Sequence, residues 1–230
     1  MNVIIGGGPF ACELLTYLIE LDSISLLQNR KYAVISENFD DSFNDIDKDS
    51  CEVKFYHKIY DFFDHLNDYC NLYLGSGKSD VKIRMDIEVT DAIKLYNSIT
   101  NPVKYGRPII TPGAVILSNH VGNGTVIAPN AVIAPMSKIG SHVLVNYGAT
   151  IGHHCVIQDF ACVGPNSAIG GSCLIKKGAY IGSGACIREK LTIGENAIVG
   201  MGAVVTSNVP DNAVVVGVPA RETKIKGKWK

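Results

Sequence analysis

Two adjacent histidines, His153 and His154, stand in the segment NYGATIGHHCVIQDF, residues 146–160, which holds few other polar side chains. An imidazole titrates near neutral pH, so it can take a proton from a nucleophile while a new bond forms. Cys155 and Cys162 offer the alternative of a cysteine nucleophile. In an isolated domain, His153 could also be an ordinary surface residue. The elements that surround the pair decide between these interpretations.

A repeat of six residues surrounds the histidine pair. One position of the repeat is always aliphatic. The residues two places before it are mostly small, as at Ala149 and Cys155, and the residue after it is often glycine. All seventeen aliphatic positions are Ile or Val: Ile109, Val115, Val121, Ile127, Ile133, Ile139, Val145, Ile151, Ile157, Val163, Ile169, Ile175, Ile181, Ile187, Ile193, Val199 and Val205.

A period of six fits neither an α-helix nor a simple amphipathic strand. It predicts short strands joined by tight corners, with three hexapeptides in each 18-residue turn and between five and six turns. The β-branched residue would point inwards, and the small residue would fill the corner. We expect glycine after the aliphatic residue to supply corner dihedrals that a Cβ forbids. His153, two residues after Ile151, would lie on the outer surface just past a corner.

The bulk composition excludes several classes of protein. A net charge of -1 and a pI of about 6.6 do not indicate binding to nucleic acid or to an anionic membrane. Seven scattered cysteines without a CxxC pair argue against disulfides and structural zinc, and favour a cytoplasmic protein. The start MNVIIGGGPF is not typical of a signal peptide, and no 18-residue apolar stretch predicts a membrane helix.

The distribution of residue types predicts two domains. Most aromatic and acidic residues precede residue 105 and most glycines follow it, which indicates domains at residues 1–105 and 106–220 with a basic tail at 221–230. The start MNVIIGGGPFACELLTYLIE predicts a strand, a glycine turn and a helix. Further strands near Tyr32 and in LYLGSGKSDVKIR complete a small Rossmann-like βαβαβ domain.

The turns after these strands hold candidate binding residues. A glycine turn before a helix can approach a phosphate closely, although the dinucleotide pattern GxGxxG is not met. Glu37 could accept hydrogen bonds from a ribose or a base edge, or belong to a solvated acidic loop. The candidate substrate-binding residues of this domain are Gly7, Gly8, Pro9, Phe10, Glu37, Gly75 and Ser76.

The segments VIAPNAVIAPMSKIG, YIGSGACI, TIGENAIVGMGAVV and VVVGVPAR resemble the hexapeptide-repeat acyltransferases. That resemblance implies a left-handed β-helix and a homotrimer. With the first domain, the chain resembles the bacillosamine-pathway and perosamine N-acetyltransferases and the sialic acid O-acetyltransferase. The resemblance implies that the first domain holds the nucleotide of a nucleotide-linked sugar. Pro9 and Phe10 depart from the family's opening, which has Gly-His near this place.

The resemblance also implies roles for individual residues. Where the family reads H-[DE]-C-x-I-G-[DE], this chain reads HHCVIQD, so His153 aligns with the catalytic base and Asn146 with a residue that supports it by a hydrogen bond. His154 replaces a carboxylate; either it points elsewhere, or another acid such as Asp159 polarises His153. Acetyl-CoA would lie in a groove between two solenoids. The residues implied to line it are Cys162, Gly182, Gly200, Met201, Gly202 and Pro219, with Lys176, Lys177, Arg188 and Lys190 as candidate phosphate contacts.

The resemblance therefore implies a cytoplasmic homotrimeric N-acetyltransferase that requires no metal. It would transfer acetyl from acetyl-CoA to a nucleotide-linked amino sugar, in particular a 4-amino-4,6-dideoxy sugar used for a surface glycan. We expect direct transfer, because the small inward column that contains Cys155 indicates a packing residue rather than a nucleophile. The alternatives are O-acetylation of a sugar hydroxyl and a non-catalytic solenoid that binds a nucleotide sugar.

Overall fold

The computed structural model describes residues 2–6, 9–24, 31–36, 52–56, 71–74 and 104–223. The chain divides into two compact units, residues 1–109 and 110–230. The elements of the first unit are β1 (Asn2–Ile5), α1 (Pro9–Ile24), β2 (Lys31–Ile35), β3 (Glu52–Tyr56), β4 (Asn71–Leu74) and β5 (Lys104–Tyr105).

The first unit is built on a parallel sheet with the strand order β3-β2-β1-β4-β5. The predicted strands near Tyr32 and in LYLGSGKSDVKIR correspond to β2 and β4, and α1 follows β1 as predicted. Helix α1 begins at Pro9, where the missing N–H of proline costs no helical hydrogen bond. Leu14, Leu15 and Leu18 are buried, so the apolar stripe of α1 contributes to the core of this unit.

The second unit is a three-sided solenoid of short strands, each of two or three residues. The strands of this unit all pair in parallel except the last, Arg221–Glu222. Its strands are β6 (Ile109–Ile110), β7 (Val115–Ile116), β8 (His120–Val121), β9 (Val126–Ile127), β10 (Val132–Ile133), β11 (Lys138–Ile139), β12 (Leu144–Val145), β13 (Thr150–Ile151), β14 (Val156–Ile157), β15 (Cys162–Val163), β16 (Ala168–Ile169), β17 (Leu174–Ile175), β18 (Tyr180–Ile181), β19 (Cys186–Ile187), β20 (Thr192–Ile193), β21 (Ile198–Val199), β22 (Val204–Val205), β23 (Val214–Val216) and the antiparallel β24 (Arg221–Glu222).

The strands form three faces. The first face is the sheet β22-β19-β16-β13-β10-β7, the second is β20-β17-β14-β11-β8, and the third is β24-β23-β21-β18-β15-β12-β9-β6. We call the corners between the first and second faces the first edge, those between the second and third faces the second edge, and those between the third and first faces the third edge. The third face has more levels than the predicted five to six turns, because β6 and β23 extend it at its two ends.

The inward columns are placed as the period predicted. Equivalent residues lie 18 positions apart and pair in register, as Ile133 does with Ile151 and Ile151 with Ile169. These residues and the small column at Ala149 and Cys155 are buried in one continuous apolar core. Burial of each aliphatic side chain stabilises the coil by about 1.5–3 kcal/mol.

Val115 is an exception to the aliphatic column. Ile133 pairs with Ile116 rather than with Val115, because the chain between these two levels is one residue shorter than a full coil. Val115 is consequently 47% exposed, whereas Ile116 packs against the core. The prediction for this one position was wrong.

The corners differ from the prediction in the role of glycine. The left-handed residue lies three positions after the aliphatic residue, and many of these residues carry side chains, such as Met136, His154 and Phe160. Glycines directly after the aliphatic residue, such as Gly152, do not have a positive φ. A Cβ on Gly152 would lie 2.6 Å from the backbone N of Gly171 in the next coil. These glycines therefore permit close stacking of coils rather than a special dihedral.

Candidate active site

His153 and His154 form the corner of the first edge between β13 and β14. The backbone is held by both neighbouring coils: the N–H of His154 donates to the carbonyl of Pro135 at 3.2 Å, and the N–H of Ser172 donates to the carbonyl of His153 at 2.7 Å. His154 occupies the left-handed corner position with a φ of 58°. Both side chains are exposed in the single chain, as predicted for His153.

The two imidazoles contact each other through their Nδ1 atoms. The Nδ1–Nδ1 distance is 3.0 Å, and the rings are nearly perpendicular at 87°. One of these nitrogens must donate and the other must accept, because a hydrogen bond between them needs one proton. His154 therefore faces His153, contrary to the expectation that it points elsewhere.

The other expected partner, Asp159, lies away from this corner. Its carboxylate is on the second edge, where Oδ1 accepts a hydrogen bond of 2.8 Å from the N–H of Ser141. That bond links neighbouring coils of the solenoid. Asp159 therefore does not polarise His153 within the chain.

Gly171 is a residue of this corner that the sequence analysis did not single out. A Cβ at Gly171 would lie 2.7 Å from both Cε1 and Nε2 of His153, so the imidazole sits against the open side of this glycine. A signal was present in the sequence: among the positions two residues after the aliphatic residue, from Asn123 to Met201, Gly171 is the one glycine.

Asn146 lies on the third edge, between β12 and β13. Its Oδ1 accepts a hydrogen bond of 2.8 Å from the N–H of Tyr147. Asn146 is not a left-handed corner residue; that position in its corner is Gly148, with a φ of 65°. Asn146 and His153 are in the same coil but at opposite ends of the strand Thr150–Ile151, so the chain alone does not bring them together.

The predicted acetyl-CoA residues lie on the third edge, like Asn146, or on or after the third face. Asn146, Gly182 and Gly200 belong to one column of the third edge, spaced by whole coils. Met201 is highly exposed beside Gly200, and a Cβ at Gly202 would meet no other atom. Cys162 lies on the third face and is buried, and Pro219 is exposed after β23.

Cys155 has the environment of a packing residue. It is fully buried, and its thiol donates to the carbonyl of Gly170 at 3.1 Å. The pKa of Cys155 is raised well above the usual range, mainly by the hydrogen bond with the Cys173 thiol and secondly by burial. A thiol that resists ionisation inside the coil is a poor nucleophile.

In the first unit, the carboxyl ends of three adjacent parallel strands meet. Ile5 at the end of β1 pairs with Ile35 at the end of β2 and with Leu74 at the end of β4. Pro9 and Phe10 form the first turn of α1, directly after this end of β1. The other candidate substrate-binding residues lie outside the described residues: Gly7, Gly8, Glu37, Gly75 and Ser76.

The candidate phosphate contacts have mixed surroundings. Lys176 forms an ion pair of 3.1 Å with Asp211, and Lys177 lies 5.4 Å above the ring of Phe160. Arg188 and Lys190 are exposed on the first edge. Within the described ranges, no group of three or more His, Cys, Asp or Glu residues is arranged to hold a metal ion. No helix in the described part of the chain combines the length and apolar character that a membrane crossing requires.

The repeat itself matches a known family over part of the chain. Residues 172–207 match the family described as bacterial transferase hexapeptide (six repeats). No curated protein matches the chain significantly in sequence.

Solved structures match both units together. WeeI from Acinetobacter baumannii AYE is 26% identical with a TM-score of 0.76, over 97% of this chain and 99% of WeeI. PerB from Caulobacter crescentus, in complex with CoA and GDP-perosamine, is 23% identical with a TM-score of 0.75, over 96% of each chain. The acetyltransferase domain of PglB from Neisseria gonorrhoeae FA1090, in complex with acetyl coenzyme A, is 22% identical with a TM-score of 0.75, over 96% of this chain and 98% of that domain.

These matches confirm the predicted fold: a small Rossmann-like α/β unit followed by a left-handed parallel β-helix of hexapeptide repeats. The chain thus has the transferase hexapeptide repeat over residues 172–207 and shares the fold of these three structures. The assignments of individual site residues stay predictions.

Proposed function

We propose that the chain is an acetyl-CoA-dependent N-acetyltransferase that acts on the amino group of a nucleotide-linked amino sugar. The observation that carries this proposal is the match of both units to structures that hold CoA with GDP-perosamine, and acetyl-CoA. The acceptor would be a 4-amino-4,6-dideoxy sugar, and the product would serve a surface glycan. Because acetyl-CoA is an intracellular metabolite, the enzyme would act in the cytoplasm.

The chemistry requires one base at the first edge. The lone pair of the neutral sugar amine attacks the thioester carbonyl and forms a tetrahedral intermediate. Its collapse breaks the carbon–sulfur bond and releases CoA as the thiolate. His153 takes the proton that the nitrogen loses, and this proton passes to the thiolate or to water. An imidazole fits this role because histidine side chains in general gain and lose a proton close to neutral pH.

The positions of the predicted residues support a site shared by two subunits. The base His153 is on the first edge, whereas Asn146 and Gly182 are on the third edge. In a cyclic homotrimer, the first edge of one solenoid can face the third edge of its neighbour, because heterologous contacts close into a ring. The proposed acetyl-CoA groove runs along this contact. From Asn146 to Gly200 it spans three coil spacings, or about 14 Å.

Exposed apolar residues on both edges support the same assembly. Met136 lies one coil below His154, takes the same left-handed conformation and is 69% exposed. Tyr147 on the third edge is 47% exposed. A bulky residue at a left-handed corner is unfavourable unless its side chain gains contacts elsewhere. Contact with a neighbouring subunit would supply them.

The convergence of strand ends in the first unit supports nucleotide binding there. In open parallel sheets, ligands bind beyond the carboxyl ends of the strands, where the strand order reverses. Here that point lies between β1 and β4. The residues Pro9 and Phe10 at the start of α1 would then border the nucleotide.

One assay separates the candidate activities. Purified protein is incubated with acetyl-CoA and a panel of UDP-, dTDP- and GDP-linked 4-amino sugars, and free CoA is measured. Thiol release with an amino sugar, together with an acetamide in the product, is the expected result. Release only with a hydroxyl acceptor would assign O-acetylation, and no release with either acceptor would favour a non-catalytic binding protein.

A further inference from the structure

The Nδ1 contact between His153 and His154 restricts where their protons can be. At 3.0 Å, one Nδ1 carries the proton and the other supplies a lone pair. Two neutral arrangements satisfy this condition. In the first, His153 donates from Nδ1 and its Nε2 is unprotonated. In the second, His154 donates and the proton of His153 is on Nε2. Only the first arrangement leaves His153 able to act as a base at Nε2.

Gly171 makes room for the edge of the His153 ring that carries Nε2. A Cβ here would lie 2.7 Å from Nε2 and from Cε1 of His153, and the three atoms nearest to it all belong to that ring. Gly171 does not have a positive φ, so the backbone does not require glycine. The absence of a side chain at Gly171 thus allows the ring to take this orientation, in which Nδ1 is turned towards His154.

From this geometry we infer that His154 is a positioning residue that fixes the tautomer of His153. Nδ1 of His154 accepts the Nδ1–H of His153, which leaves Nε2 as the basic atom, and Gly171 leaves room for the ring in this orientation. The inference deepens the proposed acetyltransferase function, but the tautomer itself does not depend on it. When Nε2 takes the proton, Nδ1–H stays bonded to His154, so the contact persists in the cationic state.

The imidazole of His154 stands where the N-acetyltransferases that this chain resembles have a carboxylate, and it can accept the same hydrogen bond. A carboxylate can only accept, so it selects the Nδ1–H tautomer without ambiguity. An imidazole can accept only while its own Nδ1 is unprotonated. His154 meets this condition when its proton is on Nε2, the nitrogen that does not face His153.

The direct test is the position of the ring protons. Protein labelled with ¹⁵N in its six histidines is studied by long-range ¹H–¹⁵N correlation above the pH range in which imidazoles titrate. The spectra of His153→Ala and His154→Gly assign the two rings. We expect His153 with a protonated Nδ1 and an unprotonated Nε2, and His154 with the reverse. A protonated Nε2 on His153 would overturn the inference. Because no substrate is needed, this outcome is independent of the proposed activity.

Kinetics provide a second test. His154→Gly removes the ring without backbone strain, since glycine adopts a positive φ readily. Loss of a residue that fixes a tautomer typically costs about 10–100-fold in activity, and we expect this in kcat with little change in KM. His154→Asp should restore most of kcat, because Asp tolerates this conformation and accepts a hydrogen bond. Ser172→Gly, at the equivalent corner of the next coil, is the matched control. Wild-type kcat in His154→Gly would exclude the positioning role.

Discussion

Asn146 and His153 belong to the same coil but lie on different edges of the prism, at opposite ends of the strand Thr150–Ile151. A site that uses both must draw them from two subunits. Asn146→Ala and His153→Ala should each abolish most activity alone. When the two variants are assembled together, interfaces with an intact His153 from one subunit and an intact Asn146 from the other should recover it. In a cyclic trimer that contains both variants, one of the three interfaces is intact, so about a third of the sites should be active.

The control for this experiment uses two variants on one edge. Co-assembly of His153→Ala with His153→Asn leaves every interface without the base and should recover no activity. The measurement is CoA release by mixed oligomers that are purified through two different tags. Equal, low activity in both mixtures would show that the site does not combine these two edges.

Removal of the imidazole should leave the fold intact. His153→Ala should lower kcat by about 10²–10⁴-fold, the range for loss of a general base, while the oligomer persists because the side chain lies outside the apolar core that holds the fold together. Steady-state CoA release and light scattering measure the two properties. Turnover near that of the wild type would remove His153 from the mechanism.

Two glycine substitutions should separate stability from activity. At Gly122 on the second edge, a Cβ would lie 2.5 Å from the backbone of Gly140 and Ser141, so Gly122→Ala should destabilise the fold by about 1–3 kcal/mol and leave kcat nearly unchanged. At Gly171 the three atoms nearest to the Cβ belong to the ring of His153, which can rotate away. Gly171→Ala should therefore keep its thermal stability and lose most of its kcat. Unfolding temperature and turnover of each variant test this contrast. The inference about Gly171 is wrong if Gly171→Ala is fully active.

A charge in the aliphatic column should prevent folding. Ile169→Asp places a carboxylate among apolar side chains without a partner, a change that costs several kcal/mol. Val156→Asp, on the outer side of the second face, is the control and should remain soluble. Soluble yield and circular dichroism compare the two. A folded Ile169→Asp protein would show that the column is not a packed core.

Cys155 should be dispensable for catalysis. The Cys173 hydrogen bond and burial raise its pKa, so the thiol stays protonated at about pH 8.5, where a free thiol ionises. We expect mass spectrometry after alkylation of the native protein to find the exposed Cys186 labelled and Cys155 unlabelled. Cys155→Ala should retain kcat. A trapped acetyl-thioester on Cys155 during turnover would instead support covalent catalysis.

The period of six was sufficient to predict the inward columns, since only a repeating coil requires Ile or Val at every such position. It could not predict the shift at Val115, which depends on the length of one coil, read from the pairing of Ile116 with Ile133. The left-handed corners were equally hidden, because Met136 and Phe160 are residue types that rarely take this conformation. Tertiary hydrogen bonds between coils decide these positions, and local sequence does not encode them.

For the candidate site, the sequence predicted where a residue lies along the coil but not which side chains it contacts. The position of His153 followed from its distance to Ile151 in the repeat. The partner of His153 did not, because the sequence places His154 beside it without showing which way either ring turns. Gly171 is distant in the chain and comes next to His153 only through the stacking of coils.

Because its coils pair in register, the solenoid has a length set by the number of coils. Insertion of one complete 18-residue coil above His153 would keep every edge in phase and move the far end by about 4.8 Å along the axis. An insertion of one or two hexapeptides would instead move all later residues onto a different face. The proposed acetyl-CoA groove can thus be lengthened only by whole coils, so its length changes in steps of about 4.8 Å.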